Sequence, residues 1–441
     1  MARKVFISFL GTNNYVNCCY SVDETYPVRF VQEALIRDIC SDWTQNDQIY
    51  IFCTEDAEKS NWVDGGQKKP IEEIDKVGLN TRLTALNLNV PFKNVPIKEG
   101  FSEDDIWAIF DTVYGKLLTG DEIYFDVTHV FRSIPLFSIV LFNYSRLMKG
   151  TNIVAIKYGA FEKLGSAFEV RQKPLEKRGV APILDLTNIA RLQEYNEMAS
   201  GLINFGKTKK LSSKLKTYEP DNRTIENLCQ SVTELDEFIA TNQLSEIRNG
   251  KFIAKFRCNV KSGSKNQPKP IKEILNKIKT ETEEFVATKD NQNIEAAIKW
   301  AKEHEMLAQA YSLAEEYIVL RIAEFFAALN PFGKDNKARK QFREFISLVL
   351  GLPEEVIRTK DFHGVLFGKD EIIMQLWDNS AIQTIRPEYE QIRKRRNSII
   401  HGNGEYPYRD EKNEDLDTDF YPLFNKCIDT INNFNTIPPC S

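Results

Sequence analysis

At 441 residues, with 42% hydrophobic and 27% charged side chains, the chain is too long for one ordinary core and reads as two or three globular domains. Its formal net charge of -5 excludes a broad basic nucleic-acid surface, so any RNA contact has to be confined to a local groove. No apolar run reaches ~18 residues, so no membrane-spanning helix is expected. Eight cysteines without a Cys-x-x-Cys pair, Cys18 and Cys19 being adjacent, argue for free thiols in a reducing cytoplasm and against a zinc site.

In chain order, residues 5–10 (Val-Phe-Ile-Ser-Phe-Leu) are expected as a buried strand. The run is too short for a signal peptide and lacks a small-residue cleavage site. Gly11 to Tyr15 is a polar loop, and 30–39 reads as a helix with one buried side. Residues 48–53 (Gln-Ile-Tyr-Ile-Phe-Cys) form the second strand, followed by a helix over about 66–88 and a short strand at 94–97. Residues 102–118 are helical, opening on Ser102 and Asp105, three apart as in a cap. A strand at 121–127, a turn at Thr128 and His129, a long apolar helix over 132–149 and a strand at 152–158 complete the series. Such β-α-β alternation implies a mostly parallel, doubly wound sheet. In these sheets ligands sit outside the carboxyl ends of the strands, where the strand order reverses.

The rest of the chain is helical in character. Residues 206–293 include a lysine-rich run at 207–216, an alternating stretch at 252–256 (Phe-Ile-Ala-Lys-Phe) that reads as a strand in a small hairpin, and a helix over 270–287. Helices are expected at 294–329, 336–350, 371–378, 387–401 and 422–434, with an acidic, solvated loop at 410–419. His304 and His363 sit in no partner pattern and read as structural.

Three stretches carry chemistry. Gly11-Thr12-Asn13-Asn14-Tyr15 leaves the first strand at its carboxyl end. Residues 126–135 (Asp-Val-Thr-His-Val-Phe-Arg-Ser-Ile-Pro) join a strand to a helix whose first turn offers free N–H groups together with Arg132 and Ser133, an anion site. The third is Arg396-Asn397-Ser398-Ile399-Ile400-His401-Gly402, expected at the end of a helix that opens on Pro387 and stops at Gly402. His401 is one of only four histidines. On an ideal helix Arg396 and His401 differ by roughly 140° in direction and ~7.5 Å along the axis, whereas Asn397 and His401 share a face. Asn397 is therefore placed to orient the imidazole. A histidine titrating near ~6.5 can take or give a proton at neutral pH. An arginine stays charged and can grip phosphate oxygens as charge develops.

Arg-Asn-x-x-x-His resembles the signature of HEPN ribonucleases, and residues 309–316 (Gln-Ala-Tyr-Ser-Leu-Ala-Glu-Glu) resemble an HEPN core helix. Phe9-Leu10-Gly11-Thr12, Tyr15, the Phe-Val-Gln-Glu-Ala-Leu run at 30–35 and the Asp-x-Thr-His-x-x-Arg-Ser-x-Pro pattern from Asp126 look like the CARF domain of type III CRISPR accessory ribonucleases. One departure is Val130, where the pattern carries glycine. Together the motifs imply an α/β Rossmann-like CARF domain (1–185, mostly parallel sheet), a helical linker region with a small insertion (186–293), and an all-α HEPN domain (294–441).

The resemblance implies a cytoplasmic, metal-independent endoribonuclease that cleaves single-stranded RNA to 2′,3′-cyclic phosphates. Arg396, His401 and Asn397 carry the catalysis. No cofactor is implied; the activator is a cyclic oligoadenylate, expected with four adenylates, bound by Gly11, Thr12, Asn13, Tyr15, Thr128, His129, Arg132, Ser133 and Tyr158. A twofold-symmetric ring suits a twofold pocket, so a homodimer or higher even oligomer is expected. Two other readings stay open: a non-catalytic sensor that signals through its helical domain, and a ring nuclease that degrades the messenger with His129 or Thr12 assisting.

Overall fold

The computed structural model describes residues 2–66, 73–129, 134–206, 223–265, 269–401 and 420–433. The chain divides into two compact units, 1–193 and 194–441.

In chain order the strands of the first unit are β1 (Lys4–Leu10), β2 (Cys18–Tyr20), β3 (Asp23–Val28), β4 (Gln48–Cys53), β5 (Phe92–Pro96), β6 (Glu122–Asp126), β7 (Asn152–Gly159), β8 (Val180–Ala181) and β9 (Ile183–Asp185). Six of them form the main sheet in the order β5-β4-β1-β6-β7-β9. Neighbours run parallel throughout except β7 against β9. Counted by succession within the sheet, this is the 3-2-1-4-5-6 order of a Rossmann-like fold, with its reversal between β1 and β6. Residues 5–10 of β1 and all of β4 are buried, because helices cover both faces and leave no polar side to the pleat.

Alternate residues feed two cores. Phe6, Leu10, Ile49 and Ile51 pack with the Val31–Ile39 and Leu79–Ala85 helices. Val5, Ile7, Phe9, Tyr50 and Phe52 pack with the Glu103–Lys116 and Ile134–Lys149 helices. Ser102 Oγ accepts from the Asp105 amide at 3.1 Å, the cap that the spacing predicted.

Several expectations need correction. In place of one helix over 66–88, the described residues hold a 3-10 turn at Glu73–Lys76 and a helix at Leu79–Ala85; 67–72 lie outside them. The small sheet β3-β2-β8 was not foreseen. β2 and β3 are a short hairpin, β8 is a two-residue strand about 150 positions further on, and half of β3 is exposed, so no alternating apolar pattern marks the sheet.

The second unit contains helices at Arg223–Ala240, Leu244–Asn249, Lys251–Ser264, Lys269–Glu281, Gln292–Glu303, Leu307–Phe325, Asn336–Leu350, Asp370–Trp377, Ser380–His401 and Phe420–Asn432, and no strand among its described residues. The strand expected at 252–256 is instead part of the Lys251–Ser264 helix. Phe252, Ile253, Phe256 and Val260 are buried at the helical intervals of one, four and eight, which outweigh the local alternation. The helix expected over 294–329 breaks at His304 to Met306, where Glu305 takes a φ of 58°. His304 is structural as expected, its ring nitrogens within hydrogen-bonding distance of the Trp300 and Ile203 carbonyl oxygens. Pro387 does not open the last long helix; it lies inside Ser380–His401. Ile382, Ile385, Tyr389 and Ile392 are buried on both sides of it, so the apolar stripe carries the helix through the lost amide hydrogen bond. The lysine run at 207–216 and the acidic loop at 410–419 lie outside the described residues.

Candidate functional site

The two loops singled out in the first unit leave the sheet at its point of reversal, from the carboxyl ends of β1 and β6. The Gly11–Tyr15 loop is held from behind. Asn61, fully buried, donates to the carbonyl oxygens of Gly11 at 2.8 Å and Asn13 at 2.9 Å. Its own carbonyl accepts from Arg29 at 2.8 Å, and Arg29 also donates to the Asp75 and Val77 carbonyls. Arg171 donates to Asn14 Oδ1 and the Tyr15 carbonyl, both at 2.9 Å. The loop backbone is thus committed, while the side chains of Thr12 and Asn13 stand exposed. The loop is thereby held in place before anything binds to it, and ordering it would cost no further entropy. At Gly11 a Cβ would stand 2.9 Å from the Tyr15 hydroxyl, which accepts the Gly11 amide at 2.9 Å, so glycine is needed for this closeness.

Tyr15, expected as a ligand contact, packs into the core of the unit. It is buried, with ring centroids 5.4 Å from Phe30 and 4.4 Å from His129. Tyr158 is half-buried on β7 and donates to Glu162. Burial, with Glu162 alongside, pushes its phenol up to about 12.

At the β6 edge, Asp126 is buried, with no ion pair to a cation among the described residues. Its carboxylate accepts from Ser8 Oγ at 2.7 Å, the Thr128 amide at 3.0 Å and Thr128 Oγ1 at 2.6 Å. Burial still raises its pKa, against these bonds. Thr128 Oγ1 in turn accepts from the Gly159 amide at 2.8 Å. Asp126 and Thr128 therefore knot the ends of β1, β6 and β7 together. Thr128, expected as a ligand contact, spends its hydroxyl proton on the fold. Arg132 and Ser133 lie outside the described residues; the Ile134–Lys149 helix begins directly after them.

His129 packs on Tyr15 with its Nε2 enclosed and unpartnered among the described residues. Burial lowers its pKa to about 4, so the ring is neutral at pH 7, against an ordinary value near ~6.5. An unfolded chain accepts this proton where the folded chain resists it. Stability should therefore fall as pH drops from ~6.5 towards 4, by up to about 3 kcal/mol, and be fully present above that window. The raised Asp126 works in the opposite sense, so a comparison isolates the histidine: His129→Gln should flatten the acid limb of urea midpoints taken between pH 7 and 4.5. An unaltered limb would assign the acid sensitivity to another group.

In the second unit, the Ser380–His401 helix brings Arg396 against the Leu307–Phe325 helix. Arg396 Nη2 donates to Glu315 Oε1 at 3.2 Å, and Nε stands 2.8 Å from Oε2 as an ionic contact outside hydrogen-bonding geometry. Burial raises the Glu315 pKa, opposed by Arg396. The pair borders a cleft of about 500 Å³ whose walls include Ser312, Glu316, Arg343 and Ile400. Asn397 is half-buried on the last turns of the helix, which ends at His401; the His401 side chain lies outside the described ones. Glu315 and Arg343 are the residues that sequence reasoning missed here. Glu315 fell inside the stretch resembling an HEPN core helix, but its partner stands 81 positions away, and Arg343 has no motif around it.

No helix among the described residues is long and apolar enough to cross a membrane, and no group of three or more metal-ligating side chains occurs among them.

No family model matches the chain. A CRISPR-associated protein of Methanocaldococcus jannaschii is 25% identical over 223 residues, 47% of this chain and 32% of that protein. The match therefore spans about a third of that relative's length. Among solved structures, Enterococcus italicus Csm6 bound to cyclic hexa-2'-fluoro-hexa-dAMP aligns with 99% of this chain and 95% of its own, at a TM-score of 0.47 and 14% identity. Over about half its length, then, this chain is similar in sequence to a CRISPR-associated protein.

Proposed function

We propose that the chain is a CARF–HEPN ribonuclease of CRISPR defence: a cyclic oligoadenylate bound at the β1/β6 edge switches on metal-independent cutting of single-stranded RNA at Arg396 and His401. The observation that carries this reading is the Arg396–Glu315 pair at the border of a cleft, one and a half turns before the helix ends at His401. Sequence similarity to a CRISPR-associated protein supports the biological setting.

RNA supplies its own nucleophile, the 2′-hydroxyl. The protein then has to remove that proton, neutralise the charge developing on the phosphate and protonate the leaving 5′-oxygen. His401 takes the proton work and Arg396 the phosphate charge, with Glu315 fixing where the guanidinium lies. Asn397 orients the imidazole. No metal is required by this chemistry.

For the activator, exposed Thr12 and Asn13 and the half-buried Tyr158 offer hydrogen bonds and a ring face, with Arg132 and Ser133 assigned to the phosphates. The ring expected is cyclic tetra-adenylate. A twofold ligand calls for two copies of this crevice. The first unit has an apolar surface fit for pairing: Ile139, Val140, Leu147 and Met148 stand exposed on one helix and Trp107 on its neighbour, the two helices meeting through Phe110 and Tyr144 at 5.4 Å.

The deciding experiment is RNA cleavage with each cyclic oligoadenylate in turn, with EDTA present and the product ends identified. Cleavage with none of them overturns the reading. Cleavage that needs a divalent ion overturns the metal-free part of it. Asn61→Ala tests the loop. Without the two hydrogen bonds that Asn61 donates to loop carbonyls, messenger affinity should fall by roughly ten- to thirtyfold, read by calorimetry on protein whose melting confirms a folded unit. Unchanged affinity would remove the Gly11–Tyr15 loop from the pocket.

A further inference from the structure

The cleft at Arg396 does not end there. A second cavity of about 670 Å³ shares Leu244, Ser245 and Arg343 with it, so the two are one groove with Arg343 at the junction. The wall of the second cavity carries Arg248, Lys289, Arg339 and Arg343 against Glu246 and Glu324. Arg248 is committed to Glu324 at 2.6 Å. Arg339, Arg343 and Lys289 have no carboxylate partner among the described residues, which leaves three cations turned to one channel in a chain of net charge -5. Arg339 and Arg343 stand four apart on the Asn336–Leu350 helix, on one face and ~6 Å apart along its axis. That spacing is on the scale of neighbouring phosphates in a single strand. At the other end of the groove, Asn242 borders the Arg396 cleft with its Oδ1 enclosed and without a partner among the described residues. It is an acceptor that a base amine or a ribose hydroxyl can satisfy.

We propose that this groove holds the single-stranded RNA flanking the cut, its phosphates running from Arg343 over Arg339 and Lys289. The proposal rests on the ribonuclease reading and extends it to the substrate's path within one chain. It gives the RNA contact the local groove that the acidic net charge demands. Each phosphate neutralised on a single strand contributes about 0.7 to the slope of log affinity against log salt.

The test uses the full chain with Arg339→Ala and Lys289→Ala together, both away from the Arg396–Glu315 pair. Against a twelve-nucleotide RNA, KM should rise by about tenfold with kcat within about twofold of the parent. With His401→Ala added to prevent cutting, anisotropy of the same labelled RNA should give a salt slope shallower by about 1.4. The charge-keeping pair Arg339→Lys and Lys289→Arg should retain the parent slope. A parent chain that cleaves RNA, with KM and slope unmoved in the alanine variant, overturns the groove and leaves the ribonuclease reading standing. A parent chain that neither cleaves nor binds the RNA overturns both.

Discussion

Arg396→Ala and His401→Ala are each expected to abolish RNA cleavage while messenger binding survives. General acid–base catalysis by a positioned side chain contributes typically 10²–10⁴-fold, so His401→Ala should lose about that much of kcat with little change in KM. Arg396→Ala removes the charge that faces the phosphate and should cost a similar amount. It also leaves Glu315, a carboxylate that burial already makes reluctant to ionise, without its cation. A melting curve is therefore part of the measurement, since loss of a half-buried pair destabilises through the partner left behind. Arg396→Lys keeps the charge but not the planar guanidinium that donates to Glu315 through Nη2 and should recover only part of the activity. Glu315→Gln should lower kcat by roughly tenfold with messenger affinity unmoved, because a neutral amide holds a guanidinium less firmly than a carboxylate. Unchanged turnover in a folded His401→Ala protein would sink the catalytic assignment.

How far the sequence could be read differed between the two units for a physical reason. In the first, strands buried on both faces are continuous apolar runs, and β1 and β4 were placed to within one residue. The crevice followed from topology, because an order that reverses between β1 and β6 puts both polar loops at one edge. What escaped was the support behind the loop. Asn61 lies in a segment that resolved as a single turn of π-helix, and Arg171 reaches Asn14 across 157 residues. Neither position has a local pattern, since long-range hydrogen bonds leave no periodicity behind. The same reason explains Tyr15. Its aromatic character fits a stacking role and a core role equally, and only the positions of Phe30 and His129 decide between them. In the second unit, Phe252 to Phe256 was misread because five residues are too few to separate a period of 2 from one of 3.6. Pro387 misled in the other direction: a proline that suits a helix start was outweighed by buried apolar side chains on either side of it.

The last prediction concerns whose arginine serves whose histidine. Glu315 of the same chain ties Arg396 toward the Leu307–Phe325 helix. Position 401 lies five residues further on, rotated by roughly 140° and displaced by ~7.5 Å along the axis. One helix therefore offers its arginine and its histidine position to different sides, and a full set around one phosphate calls for a facing copy. A twofold messenger pocket implies the same axis, and messenger binding can favour cleavage only if the two states of that pairing differ in their affinity for it. Mixing Arg396→Ala protein with His401→Ala protein, each inactive alone, separates the possibilities. Under free subunit exchange half of the dimers are mixed. If the site is shared, each mixed dimer regains one cleft built from Arg396 of one chain and His401 of the other, and activity should return to about a quarter of the parent's. If each chain uses its own pair, every site in the mixture is broken and activity stays at the level of the single variants. That result, with exchange verified by mass measurement, would refute cross-chain pairing and leave Arg396 and His401 as the catalytic pair within one chain.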